Sequence, residues 1–376
     1  MAFTISGVSG ITGLNLTTTQ PPPPPEYYLW SWGYNHSGQL GLGDATISRS
    51  SPTQVGTLTN WSSIAARYLV GFAIKTDGTM WSWGNNGAAG RLGLGDTTHR
   101  SSPVQIGSLT TWSKITARNA GGVAIKTDGT MWTWGSNYYG ELGVGDTTNR
   151  SSPVQIGALT TWLNISGGTD HAMATKTDGT LWMWGRNYNG RLGLGDTNNR
   201  SSPVQVGALT TWLKVSAAYD NAAIKTDGTL WAWGKNHHGQ LGQGDTTSRS
   251  SPTQIGALTT WLSVAAGTYN NMAIKTDGTM WAWGQNSYGK CGLSDTASRS
   301  SPVQVGALNT WSSVSSLGNS SHAIKTDGTL WSWGYNVNGQ LGLGNTTSVS
   351  SPVQIGSLTT WISVVNGEWP ILAIST

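Results

Sequence analysis

A chain of 376 residues with 52 glycines, 22 tryptophans, two phenylalanines and only 10% charged side chains lacks the Ala, Glu, Lys and Leu content of a helical protein, so short strands and tight turns are expected. The net charge of +4 is modest and its cations are dispersed, which excludes a basic stripe for nucleic acid, while the single Cys291 excludes a disulfide framework. No apolar run approaches the roughly 18 residues of a membrane span, and Met1 to Gln20 has neither the basic start nor the apolar block of a signal peptide, so a soluble chain made in a cytoplasm is expected.

Residues 1 to 20 are uncharged and alternate loosely between apolar and small polar side chains. That pattern fits either an anchor strand pairing with a particle or scaffold partner, or a disordered tail. Pro21 to Pro25 favour polyproline II, which rises about 3.1 Å per residue, so the five form a semi-rigid spacer of roughly 15 Å. From residue 26 to residue 376 the chain repeats itself. Trp-x-Trp-Gly starts at Trp30, Trp81, Trp132, Trp182, Trp231, Trp281 and Trp331, and a fixed period of about fifty residues marks a solenoid, propeller or array.

One unit reads as four strands. In the last complete copy Trp311 to Val314 opens the first strand, and a variable turn at Leu317 to Ser321 leads to the second, His322 to Lys325. Asp327-Gly328 signals a two-residue hairpin returning through Leu330 to Trp333, and a Gly-rich loop leads to the fourth strand at Ser351 to Ile355. Seven such units predict an all-β fold, a seven-bladed β-propeller of four-stranded antiparallel blades. Glu26 falls at the Asp327 position and Thr376 at the Thr326 position, so Tyr28 to Trp32 and Ile371 to Ile374 are left to pair with each other. That pairing of the N- and C-terminal strands closes the ring and removes its edges, and a closed ring needs no second copy.

The motif Trp-x-Trp-Gly-x-Asn-x-x-Gly-Gln-Leu-Gly-x-Gly-Asp at Trp30 to Asp44, followed by Ser51-Pro-Thr-Gln-Val55 and Ala73-Ile-Lys-Thr-Asp-Gly78, resembles the regulator of chromosome condensation repeat family. The resemblance covers residues 26 to 376 and implies a seven-bladed propeller. For function it implies less, because relatives include a nucleotide exchange factor on chromatin, plant ultraviolet photoreceptors and bacterial inhibitors of β-lactamase.

The copies differ mainly in two segments, the turn after the first strand and the residues after Trp-x-Trp-Gly, and in an antiparallel blade both emerge on one face. Nine of the eleven tyrosines lie there, and Trp369 is the only tryptophan outside the three positions that recur in every unit. The candidate ligand-binding residues are Tyr34, Arg67, Tyr68, Arg118, Asn119, Tyr138, Tyr139, Asp170 and His171 in the first half of the chain. In the second half they are Tyr188, Tyr219, Asp220, His237, Tyr269, Asn270, Tyr288, Tyr335 and Trp369. Rigid aromatics beside adaptable polar side chains are what recognition loops use. Neutral drift would also have scattered changes through the Gly-Ala-Leu-Thr-Thr loops, and it gives no reason to enrich tyrosine.

These features predict a non-enzymatic recognition module that binds a protein or glycan on the variable face. A receptor-binding or decoration protein on a phage or other particle surface is the first reading, tethered through residues 1 to 20. An intracellular protein-binding propeller, of inhibitor or exchange-factor type, is the alternative. A tryptophan photoreceptor is a third, against which the Gly-Trp-Arg-His-Thr signature of that group is absent and the recurring tryptophans read as packing. Asp170-His171 has no serine or cysteine nucleophile beside it, and the six histidines lack ligand spacing, so neither catalytic residues, metal nor cofactor are expected.

Overall fold

The computed structural model describes residues 25–376, within which seven four-stranded antiparallel sheets form a closed ring. The expectations for residues 1 to 20, and for all of the spacer but Pro25, lie outside the described residues. Blade one comprises Trp61–Arg67, Val70–Lys75, Met80–Gly84 and Arg100–Gln105, and blades two to six repeat that order through Val349–Gln354. The first strand of each blade is innermost, and each touches the next around the full ring. No helix among the described residues is long and apolar enough to cross a membrane.

The seventh blade is built from both ends of the described chain. Trp361–Asn366 and Pro370–Ser375 supply its two inner strands, and Tyr28–Gly33 and Arg49–Gln54 its two outer ones. The closing register runs without a break from Tyr28 opposite Ser375 to Gly33 opposite Pro370. Tyr27 N–H then donates to Thr59 O at 2.7 Å and Thr376 N–H to Thr360 O at 3.1 Å, so both ends rest on the Gly-x-Leu-Thr loops, away from the variable turns.

Tryptophan explains why the blades stay in place. The second tryptophan of each Trp-x-Trp-Gly is fully buried, and its Nε1–H crosses to a backbone carbonyl of the preceding blade at 2.9 to 3.1 Å. The first tryptophan lies under a lysine ammonium in six blades, 3.5 to 3.8 Å from the ring centroid. The tryptophan opening each innermost strand meets that ring edge-on, as Trp261 meets Trp281 at 6.2 Å and 80°. Among the described residues its Nε1–H has no hydrogen-bond partner in any blade. Cys291 takes the place of a core leucine, fully buried, and burial pushes its thiol up to about 12.

The hairpin between second and third strands differs from the expected two-residue type. Gly78 N–H donates to Lys75 O and Lys75 N–H to Thr79 O, which encloses Thr76, Asp77 and Gly78 in a three-residue turn. Gly78 alone takes a positive φ, +78°, and Asp77 Oδ1 is occupied by Thr79 N–H and hydroxyl, so the aspartate caps the turn instead of adopting the left-handed conformation of a two-residue loop. In the loop before the fourth strand, Asp and Arg pair at 2.5 to 2.7 Å in six blades. Asn345 and Val349 stand at those positions in blade six.

Candidate functional site

Both variable segments lie on one face and are tied together there. In six blades the N–H following Trp-x-Trp-Gly donates to a carbonyl of the turn after the first strand, at 2.7 to 3.2 Å, as Gln285 does to Tyr269 O. Beneath that contact each loop has one frame. The Asn after Trp-x-Trp-Gly accepts from a backbone N–H further along the loop through Oδ1, and donates through Nδ2 to the Asp, or Asn345, beyond it. A constant frame thus carries changing side chains.

The structure gathers most of the exposed candidates into four aromatic groups. Tyr34 stacks on His36 with 4.5 Å between centroids and leans on Trp369 at 5.0 Å, which Tyr68 meets edge-on. Arg186 lies between Tyr139 and Tyr188, 4.5 and 5.4 Å from their centroids, and pairs with Asp170 at 3.2 Å. Tyr219, Tyr269 and His238 pack together, with the Lys235 ammonium 4.9 Å from the Tyr269 centroid. Tyr288 and Tyr335 pair at 4.7 Å. Tyr138, 75% exposed, and the exposed His237 join none of these groups among the described residues.

Five candidates lie underneath. Arg67 reaches from blade one to Asn119 Oδ1 of blade two and to Gly167 O and Thr169 Oγ1 of blade three, at 2.7, 3.0 and 3.2 Å. Arg118 donates to Trp134 O at 3.0 Å and is buried. Asn270 donates to Ser316 Oγ and is buried. His171 is fully buried, and because Asn221 Nδ2 donates to Arg191 O, the Asn221 Oδ1 must accept from His171 Nε2, at 2.8 Å. The neighbouring Asp170 turns to Arg186, so the adjacent acid and imidazole of the sequence do not meet.

Asp220, fifth of the buried set, makes no hydrogen bond of ordinary geometry through either carboxylate oxygen among the described residues. Burial pushes its carboxyl up to about 7, against the opposing influence of Gln240, Arg191 and Lys235. In the unfolded chain an aspartate releases its proton near pH 4, so the fold holds a proton that the unfolded chain has lost, and stability falls as pH rises from about 4 through 7. Asp220→Asn is therefore expected to leave the melting temperature little changed at pH 5 and to raise it at pH 8, by on the order of 2 kcal/mol of stability once the buried amide's own desolvation is deducted. An equal effect at both pH values, read by thermal scans, would contradict the assignment.

A second ring of side chains was not singled out from the sequence. Between the invariant glycine and the leucine or cysteine of each Gly-x-Leu/Cys-Gly stand Gln39, Arg91, Glu141, Arg191, Gln240, Lys290 and Gln340. Their carbonyls are the acceptors of the buried tryptophans, so the backbone is constant while the side chains differ under the variable face. That single varying residue inside a constant motif was the available signal. Lys290 is fully buried, donating to Thr268 O, Gln285 Oε1, Gly318 O and Asn319 Oδ1 at 2.7 to 3.3 Å, and burial pulls its ammonium down to about 8.

Charge is distributed unevenly as a result. The six Asp–Arg pairs, which lie in the loops of this face, and the six Lys-Thr-Asp turns at the opposite end each cancel internally, and away from the face that leaves Lys114, Lys214 and Glu26. The variable face holds Arg67, Arg91, Arg118, Arg186, Arg191, Lys235 and Lys290 against Glu141, Asp170, Asp220 and Glu368, an excess of three in a chain whose net charge is +4.

The profile of the RCC1-like domain matches residues 28–255, and that of the regulator of chromosome condensation repeat matches residues 277–324 and 327–374. The chain belongs to the RCC1-like family. Among solved structures, yeast RCC1 (Prp20) bound to Kap60 superposes on this RCC1-like propeller with a TM-score of 0.83 at 19% identity, over 93% of this chain and 89% of that one. Human WBSCR16 gives a TM-score of 0.83 at 20% identity over 93% and 99% of the two chains, and at these identities the likeness is one of fold. Two human proteins share stretches of sequence with the RCC1-like propeller. E3 ubiquitin-protein ligase HERC2 is 34% identical over 113 residues, 28% of this chain and 2% of that protein, and probable E3 ubiquitin-protein ligase HERC3 is 40% identical over 83 residues, 22% and 8%. The chain thus spans a small fraction of those relatives' length.

Proposed function

We propose that this RCC1-like propeller is a protein-recognition module that engages its partner through the variable face without doing chemistry on it. The observation that carries this reading is the gathering of nine of the ten varying tyrosine and tryptophan side chains into four aromatic groups on one face, above loops whose backbone frame is the same in every blade. Drift of exposed loops gives no reason for such grouping. The family supports the protein-binding reading, whereas attachment to a particle rested on residues 1 to 20 and finds no support in the relatives. Yeast RCC1, which shares the fold, is solved in complex with another protein.

The test is capture of a partner by the full chain beside a variant carrying Tyr68→Ala, Tyr219→Ala, Tyr269→Ala and Trp369→Ala. Central aromatic anchors contribute about 2 kcal/mol or more each, so the variant should bind the same protein at least ~30-fold more weakly while its melting transition persists. Undiminished binding by a folded variant would sink the assignment of the face, and capture of a glycan in place of a protein would correct the partner class.

A further inference from the structure

Buried charges in proteins are ordinarily paired, because removing an ion from water costs several kcal/mol that only a countercharge or a full set of hydrogen bonds offsets. Under the variable face the countercharge is missing repeatedly. Arg67, Arg118, Arg191 and Lys290 are all buried, and among the described residues none of them has a carboxylate within ion-pair distance. The acceptors they reach are neutral: Asn119 and Gly167 for Arg67, the Trp134 carbonyl for Arg118, the Tyr188 carbonyl for Arg191. Arg118 Nε, in addition, is a buried donor with no acceptor among the described residues. The acids nearby do not repair the imbalance. Glu141 is taken up by Ser136 and the Tyr139 N–H, Asp170 by Arg186, and burial holds both Asp220 and Glu368 toward their neutral forms.

We propose that the partner of this face is an acidic protein segment whose Asp and Glu side chains supply the countercharge that Arg118, Arg191 and Lys290 lack. The proposal rests on the recognition reading and adds the chemistry of the partner. Depth decides between acidic protein and nucleic acid. Arg118, Arg191 and Lys290 are 0 to 4% exposed, so they cannot extend to the phosphates on the outside of a duplex, and only a partner whose single carboxylate side chains reach inward past the loop tips can meet them. The field of the three excess charges also draws an acidic partner in, and that attraction weakens with salt.

Blade-to-blade variation supplies the variants. Glutamine occupies the Arg191 and Lys290 position in blades four, six and seven, so Arg191→Gln with Lys290→Gln introduces a side chain the loop already accepts elsewhere. Lys114→Gln with Lys214→Gln removes the same charge from the innermost strands, near the end opposite the variable turns. The experiment measures binding of a fluorescent polyglutamate peptide to the full chain at low salt by anisotropy, with polylysine and a DNA duplex as competitors. The expected result is binding that added salt weakens, with a loss of ~10-fold or more in the first double variant and less than ~2-fold in the second. Absence of binding by the parent, equal loss in both double variants, or displacement by the duplex ahead of free polyglutamate would overturn the proposal. A captured partner whose binding depends on the tyrosines but not on Arg191 and Lys290 would sink this inference and leave the recognition reading standing.

Discussion

A chain ending before Pro370 is expected to lose its cooperative melting transition and to self-associate. The ring is closed by one strand pair, and among the described residues that pair is the only one within a blade whose strands are not consecutive in the chain. Ile371, Leu372 and Ile374 are almost wholly buried, so their removal forfeits on the order of 6 kcal/mol of apolar burial, comparable to the total stability of many domains. The strand Tyr28–Gly33 would at the same time become an edge carrying Trp30 and Trp32, an apolar row with open backbone groups. Deletion within a surface loop of similar length exposes no such edge. Size-exclusion chromatography and a thermal scan decide the matter: a monomeric truncated chain melting within a few degrees of the parent would mean that the blades hold together without closure.

The location of that strand pair was legible in the sequence, because a repeat cut at matching positions at its two ends leaves two unpartnered strands. The seven blades, the tryptophan packing and the face that varies were legible for the same reason: each recurs, and recurrence separates frame from content. Depth was not legible. Tyr219 and Asp220 are neighbours in one varying turn, yet one reaches the surface and the other is buried, because successive residues entering a strand point to opposite sides. Tyr269 and Asn270 divide in the same way. Arg67 is buried for a different reason, since its long stem carries the guanidinium across two blades to acceptors a hundred residues away in sequence. The Gly-x-Leu/Cys-Gly ring escaped notice because its mixed Gln, Arg, Glu and Lys read as surface residues. What places it inside is the tryptophan of the next blade bonding to its carbonyl.

The fold should also weaken on mild acidification, well before surface carboxylates titrate. His171 and His322 are fully buried, and burial pulls both imidazoles down to about 3, with Arg191, Arg67 and Arg118 adding to the effect at His171. In each ring Nδ1 has no partner among the described residues, while Nε2 bonds to Asn221 Oδ1 or Gln340 O. An added proton would therefore sit on an atom with no acceptor. Because the unfolded chain takes up these protons near pH 6.5 and the fold resists until about 3, the unfolded state binds more protons in between, and stability is lost as pH falls through that window. At pH 4.5 each histidine accounts for on the order of 2–3 kcal/mol. Asp220 acts in the opposite sense over the same range and offsets one of the two. The Asp carboxylates of the Asp–Arg pairs are held below their usual range and begin to count only at lower pH. Replacing His171 by Asn, found at that position as Asn270, and His322 by Met, found there as Met173 and Met272, removes both titrating groups without leaving a void. The parent is expected to lose melting temperature steadily from pH 6.5 to 4.5, and the double variant to hold or gain over the same interval because only Asp220 remains. A parent whose stability is flat across that window would mean that the buried imidazoles find acceptors when protonated.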